Sequence, residues 1–403
     1  MKKPLALLIF IFFFFSAVSF AGGIDAGPAK FYPYFSFTGK HTDNVFASPA
    51  DEKSDYITVY APGLSLELPF RRHMLFLDYN AVVERYDEFK SEETTDLNGL
   101  AKLDLRLGGR IRLDLSDTYR KGHEPRGQSA TGRVDVFKTN TALVSASYAL
   151  AEKSKIQLDY SAAKWDFAGA VNAFRERDAD RVSLYLFYRF LPKTSAFIEY
   201  DNNRVDFNKD VSEVALNLDN TERSGYLGLT WEISENSTGT AKAGYTKKDY
   251  ADEGWFDTNG DSVVDVNVKD HSTWTASVDL SHEFSSLSSL KVTARREINE
   301  TNLSQRIRYF ETTGASFEYE RKLSRRFSMA VNGFMGNDSY SDQGAYLKKR
   351  EDRTMGAGAR LGYAMREWLR FSTAYNYRDR NSNIDVNDYR ERIFTFFNVD
   401  IKI

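Results

Sequence analysis

Apolar and polar residues alternate with a period of two along most of this chain. In "IRLDLSD", Ile111, Leu113 and Leu115 share one face, and Arg112, Asp114 and Ser116 the other. In "AKLDLRL", Leu103, Leu105 and Leu107 oppose Lys102, Asp104 and Arg106. "RVSLYLFYRF" places Val182, Leu184, Leu186, Tyr188 and Phe190 together, and "LRFSTAYNY" does the same with Leu369, Phe371, Tyr375 and Tyr377. Period two is the β-strand repeat. Charges opposite the apolar face require that face to meet water.

Short turn signals recur near Phe70, Gly109, Glu152, Pro192, Glu235, Ser286, Ser324 and Arg366, about forty residues apart. Longer polar segments, such as "KGHEPRGQSATGR" and "DSYSDQGAYLKKR", lie between them. Each unit therefore reads as two alternating strands around one long loop. The expectation is an all-β fold, a transmembrane antiparallel up-and-down β-barrel of about 18 strands. Sixteen is the alternative, because Val205–Asn217 and Thr301–Thr313 are weakly patterned. The physics is consistent. Strands in lipid must pair every backbone group, so the sheet closes, and ~9–11 tilted residues suffice to cross. Lipid meets the apolar face and the lumen the charged one. Propeller blades also repeat at about forty residues but need four strands each.

The start of the chain adds a compartment. "MKKPLALLIFIFFFFSAVSFAGG" has a basic beginning, an apolar run from Leu5 to Phe15, and small residues at Ser19 and Ala21. This is the pattern of a secretory signal peptide. Its expected span is residues 1–21, leaving 22–403 as a single outer-membrane barrel domain. The apolar run is shorter than the ~20 residues of a spanning helix. There are no cysteines, so disulfides do not hold this exported chain. The net charge is −3. A nucleic-acid partner would need a basic face, so none is expected. Thirty Phe and 23 Tyr are many for a mean hydropathy of −0.49. Aromatic girdles at both membrane interfaces account for them, and Trp165, Trp231, Trp274, Trp368, Tyr119 and Tyr245 are the expected members. The implied location is the bacterial outer membrane, with membrane lipid and lipopolysaccharide as surroundings.

The C-terminal "IFTFFNVDIKI" aligns Ile403, Ile401, Val399, Phe397 and Ile393, with Thr395 the exception. It looks like the last-strand signal of bacterial outer-membrane proteins, although it ends in Ile rather than Phe or Trp. The opening "FYPYFSFTGKHTDNVF" (Phe31–Phe46) is an alternating strand followed by "TDNVF". With the leader, the absence of cysteine and nine hairpins, it resembles the putative β-barrel porin 2 family. The resemblance implies a conduit or assembly role. Many members are tied to exopolysaccharide export, which would add polysaccharide and periplasmic export machinery as partners. It carries over no catalytic residue.

Candidate chemistry is sparse. His41, His73, His123, His271 and His282 are scattered along the chain, with no GxSxG or HExxH motif. They read as interfacial or loop histidines, and no enzyme is expected. Projected inward are Asp78, Lys102, Asp104, Arg106, Arg112, Asp114, Glu199, Lys291, Arg295, Arg360 and Arg370. They form either a field that steers ions through a pore or cross-strand ion pairs that fill the interior. Parity also sends Tyr185, Phe187, Phe394 and Phe396 inward, where rings stack on sugars. The short stretch before the first strand argues against a plugged, energised transporter, leaving a polysaccharide-secretion channel or a diffusion porin.

One motif stands apart. "DTNGDSVVD" sets Asp257, Asn259, Asp261 and Asp265 at the first, third, fifth and ninth places of a calcium loop. Ser262 replaces the turn glycine and Val268 the bidentate Glu. A loop-stiffening Ca2+ is one reading; Asn-Gly turn chemistry is the other. No cofactor is required by anything else in the sequence.

Overall fold

A computed structural model describes residues 23–124, 126, 134–208, 217–234, 236–251, 254–256, 266–300, 307–341, 349–384 and 388–403. The expected signal peptide and the residues Asp257, Asn259, Asp261 and Asp265 lie outside these.

Eighteen long strands form the barrel. They are β2 (Ala29–Thr42), β3 (Asp55–Phe70), β4 (His73–Tyr86), β5 (Thr94–Leu107), β6 (Ile111–Glu124) and β7 (Asp135–Ala149), then β8 (Ser154–Phe167), β9 (Arg177–Leu191), β10 (Thr194–Phe207), β11 (Asn220–Ser234) and β12 (Ser237–Tyr250). The circuit continues with β15 (His271–Ser285), β16 (Ser288–Glu300), β17 (Tyr309–Lys322), β18 (Phe327–Tyr340), β19 (Glu351–Arg366), β20 (Leu369–Ser382) and β21 (Tyr389–Lys402). Short β1 (Ile24–Ala26) folds back on β2, and β13 (Gly254–Phe256) pairs only with β14 (Val266–Val268). Every long strand is antiparallel to its sequence neighbour. The first and last close the circle, with Tyr34 opposite Lys402 and Thr42 opposite Ile393. Of the two weakly patterned regions, Val205–Phe207 complete β10 and Tyr309–Thr313 open β17, and the count is 18 rather than 16.

The tight turns fall where the sequence signals them. Arg71 bridges β3 and β4 at φ 57°, and Gly108 ends β5 at φ 67°. Both use the left-handed backbone that a two- or three-residue hairpin demands.

Outward residues are apolar across the band that meets lipid. On β9 these are Val182, Leu184, Leu186, Tyr188 and Phe190, each at least 44% exposed. That stretch covers about 21 Å along the barrel axis at a strand tilt of ~40°, close to the ~25 Å apolar band of such barrels. Long strands continue past it, and their outer ends carry polar residues on both faces. Tyr200 of β10, Tyr245 of β12 and Trp274 of β15 mark that boundary at one level, as the registers Tyr200–Gly225, Gly225–Tyr245 and Tyr245–Trp274 show.

Two irregularities matter. A bulge in β21 at Phe396 and Phe397 shifts its register against both β2 and β20. Parity reverses there, so Phe394 and Phe396 face outward, 41% and 46% exposed, with Phe396 5.9 Å from Tyr56 on the barrel exterior. The expected inward placement of these two rings is corrected, and Thr395 is no exception: it faces the lumen. The second irregularity is a split. β15 pairs with β16 only from Ala276 opposite Arg296 downward. His271–Thr275 hold β12 but no strand of β16, while Glu297–Glu300 hold only β17. The outer end of the β16–β17 hairpin thus leaves the wall and leans into the barrel.

Candidate functional site

The inner face is the candidate site. Strand register places all of Asp78, Lys102, Asp104, Arg106, Arg112, Asp114, Glu199, Lys291, Arg295, Arg360 and Arg370 on it. Tyr185 and Phe187 are there too, ring centroids 5.8 Å apart, with Phe197 5.3 Å from Phe187. Of the six aromatics expected at the interfaces, Trp165 is instead lumenal: it pairs with Arg177 and Thr139, in phase with inward Gln157 and Asp159.

The two readings of the charges each hold for part of the wall. Between β5 and β6 they neutralise one another. Arg112 lies 2.9 Å from both Asp104 and Asp114, and Arg106 lies 3.6 Å from Asp104. Glu199, 1% exposed, takes Lys242 at 2.6 Å, and Arg295 reaches Asp279 at 3.3 Å. Lys291, Arg360 and Arg370 make no ion pair among the described residues. They remain as positive charge toward the inner mouth.

The outer mouth is narrowed from two sides. The leaning β16–β17 hairpin brings Glu300 against Lys248 of β12 and within 3.4 Å of Asn220 of β11. Only β15 stands between β12 and β16, and Lys248 and Asn220 are lumenal by register, so these contacts pass over the concave face. Tyr309 packs with Phe207 on the buried pair Leu218 and Tyr250. His271 stacks on Tyr309 at 4.2 Å and contacts Glu311 at 2.9 Å, bridging the split. Across the arc of β10, β11, β12 and β15, a 3-10 turn over Ala170–Arg175 tucks Phe174 and Arg175 inward, 7% and 1% exposed. Arg175 is held by Glu124 and lies over the Phe167 ring at 4.0 Å.

Between these two intrusions is a cavity of about 690 Å³. Its wall on β6–β10 alternates guanidinium and ring. Arg120 lies over Phe137 at 5.2 Å, and Arg177 over Trp165 at 4.7 Å with Phe207 at 6.0 Å. The sequence reading did not single out Arg120 or Arg177. Phase alone would have found both, since each is in register with an inward partner; their neighbours are non-local.

The histidines do not gather. His123 closes β6, rather than lying in a loop, and contacts Asp96 at 2.8 Å; His73 sits at the inner turn beside Phe70. Among the described residues no group of three His, Asp or Glu is arranged to hold a metal. Outside the membrane, the loops over β3–β6 are clamped together. Glu92, 3% exposed, binds Arg126, whose guanidinium covers Phe46 at 4.6 Å; Phe46 packs edge-on against Phe89 at 4.8 Å. Burial raises the Glu92 carboxyl, but hydrogen bonds from Arg126 and Ser91 and the Arg126 charge outweigh it, so it titrates below its ordinary value.

Comparison with known proteins places this geometry. No curated protein matches the sequence. Among solved structures, the FrpB iron transporter of Neisseria meningitidis (F3-3 variant) is similar at 9% identity and TM-score 0.47, over 89% of this chain and 63% of its own. This chain thus spans less than two thirds of that transporter. The outer membrane protein OpdK of Pseudomonas aeruginosa is similar at 10% identity and TM-score 0.45, over 93% of this chain and 99% of its own. OccAB2 of Acinetobacter baumannii is similar at 11% and 0.47, over 94% and 99%. A family model described as "Putative beta-barrel porin 2" matches residues 20–400. With a match over almost its whole length and a closed sheet that is apolar outside and charged inside, the chain belongs to that family of bacterial outer-membrane barrels.

Proposed function

We propose that the barrel is a substrate-selective channel for small polar solutes. The observation that carries this reading is the inner face itself. It is charged from mouth to mouth, while its outer third is narrowed by side chains rather than left wide. An 18-strand circuit is broad enough for an aqueous path. Inward charges favour ions and hydrated solutes over lipid, and Lys291, Arg360 and Arg370, without an ion pair among the described residues, favour anions. No step in this reading requires an enzyme or a cofactor. Liposome swelling with a graded series of sugars tests it. Uptake that falls steeply with solute size supports selective diffusion; liposomes as tight as protein-free ones overturn it.

A second reading is extracellular polysaccharide secretion. The family resemblance suggests it, and the inward cluster Tyr185, Phe187 and Phe197 favours it, because rings in sequence can stack successive sugars. On that reading polysaccharide and periplasmic export machinery are the partners. A deletion strain separates the two: lost surface polymer with normal small-solute uptake favours secretion, and normal polymer rejects it. Calcium in the loop of Asp257, Asn259, Asp261 and Asp265 remains a separate proposal, as a stiffener of one surface loop.

A further inference from the structure

We propose that the cavity between the two intrusions is a binding subsite for a carboxylate-bearing sugar. The proposal deepens the channel reading by naming a cargo class.

The argument begins with what holds each arginine. Inside a barrel an arginine ordinarily faces a carboxylate, which cancels its charge. Arg112, Arg175 and Arg181 do so, with Asp104, Glu124 and Asp201. Arg120 and Arg177 differ. Among the described residues neither has an ion-pair partner. Each is held by a ring, Phe137 at 5.2 Å and Trp165 at 4.7 Å. Arg177 also donates to the Arg175 carbonyl at 3.0 Å. A ring fixes a guanidinium through its face without forming an ion pair, and leaves in-plane N–H groups available, all but the one that Arg177 gives to the Arg175 carbonyl. Such groups match a carboxylate. The rings are therefore supports for the cations, not platforms left open for a ligand.

The rest of the lining selects the body of that ligand. Thr139, Thr141, Ser161, Asn203 and Asn299 offer hydroxyls and amides, suited to a solute with many hydroxyls. On the far side are Glu222 and Glu300, drawn to Lys248, 3.9 Å from Glu222 and in direct contact with Glu300. Their remaining oxygens accept hydrogen bonds. On β6 and β9 the cavity carries Arg120, Arg177 and Arg181 beside Glu124, which Arg175 engages; on β11 and β16 it is acceptor-rich, and between them neutral-polar. A hexuronate satisfies all three parts: carboxylate to the arginines, hydroxyls to the amides and acids. A volume of about 690 Å³ exceeds one sugar ring, so a disaccharide unit also fits.

The test is calorimetric titration of the detergent-solubilised full chain at low ionic strength with glucuronate, glucose and acetate. Glucuronate should bind about tenfold more tightly than either of the others, the loss expected when one charge-assisted hydrogen-bonding partner is absent. Arg120→Gln and Arg177→Gln should each erase the advantage over glucose, whereas Arg204→Gln, on the outer face beside Asp206, should leave it intact. Heat-modifiable mobility on gels checks that each variant is a folded barrel. Equal affinity for glucuronate and glucose overturns the proposal, as does an advantage that survives the double variant. Equal affinity for glucuronate and acetate overturns the sugar part and leaves a carboxylate site. Conductance in bilayers is read separately, so a barrel that conducts without this preference refutes the subsite alone.

Discussion

Lys248 is the fastening point of the inward hairpin, and replacing it should loosen the outer mouth. Its side chain is 1% exposed and its ammonium contacts Glu300, 14% exposed, with Glu222 at 3.9 Å. In a Lys248→Met barrel the two carboxylates Glu222 and Glu300 lose their shared cation, Glu300 keeping only the Asn220 amide as donor, while the volume is nearly conserved. Removing one partner of a buried pair costs about 3–5 kcal/mol. What still seats the hairpin is Tyr309 on Leu218 and Tyr250 and the His271–Tyr309 stack at 4.2 Å. Such a ring pair adds about 0.5–1.5 kcal/mol beyond its buried area. The loss exceeds the ring pair's term, and the cheaper response is for Glu300 to return to water with its hairpin. A shift of 3 kcal/mol is a factor of about 150 in the ratio of released to seated hairpin. Hydrogen exchange should rise selectively at Ile298–Glu300, and single-channel records should gain a discrete state of higher conductance. Glu300→Gln should act in the same direction and more weakly. A folded Lys248→Met barrel with wild-type exchange and wild-type current steps would refute this account of the constriction.

Other expectations follow from particular contacts. Phe396→Lys puts a charge on the lipid face and should destabilise the barrel by up to about 2–4 kcal/mol, while Thr395→Lys, one residue away on the lumenal face, should cost far less; urea unfolding compares them, and equal losses would contradict the bulge. A Cβ at Gly244 would lie 2.0 Å from the Gly225 carbonyl oxygen, so Gly244→Ala should part β11 and β12 and cost about 1–3 kcal/mol, seen as a lower unfolding temperature; an unchanged temperature argues against so close an approach. Glu92 titrates below its ordinary value of 4.5, so its clamp on Arg126 is at full strength above that value and is lost as pH falls through the lower folded value. Pepsin cleavage of the loops over β3–β6 should therefore rise steeply at the acid end, and Glu92→Gln should remove the step. If the loop containing Asp257 and Asp261 holds Ca2+, millimolar calcium should protect residues 254–270 from proteolysis; identical cleavage with chelator would leave it a turn.

Much of the architecture was legible because period two is a local property. "RVSLYLFYRF" declares its two faces without help from any other strand, and the turns at Phe70, Pro192 and Arg366 are written in neighbouring residues. The same parity carried Arg112 and Glu199 to the lumen. It failed where one residue breaks the phase: the bulge at Phe396 and Phe397 reverses every assignment on its N-terminal side, which is why Phe394 was misplaced and Thr395 looked exceptional. Trp165 failed for another reason. Its residue type suggested an interface, although its phase with Asp159 and Gln157 pointed inward. The constriction was not legible at all, since Glu300 meets Lys248 and Asn220 only after the sheet has closed. The surroundings of Arg177, near Glu124 and Glu300 but in an ion pair with neither among the described residues, likewise depend on which carboxylates other strands bring near.

The most direct test of the central claim is a planar-bilayer recording of the full-length barrel. The charged lumen predicts stepwise currents well above the bare membrane, with a reversal potential in a KCl gradient displaced toward chloride by Lys291, Arg360 and Arg370, which make no ion pair among the described residues. A folded, inserted barrel that passes no current at any voltage would contradict it.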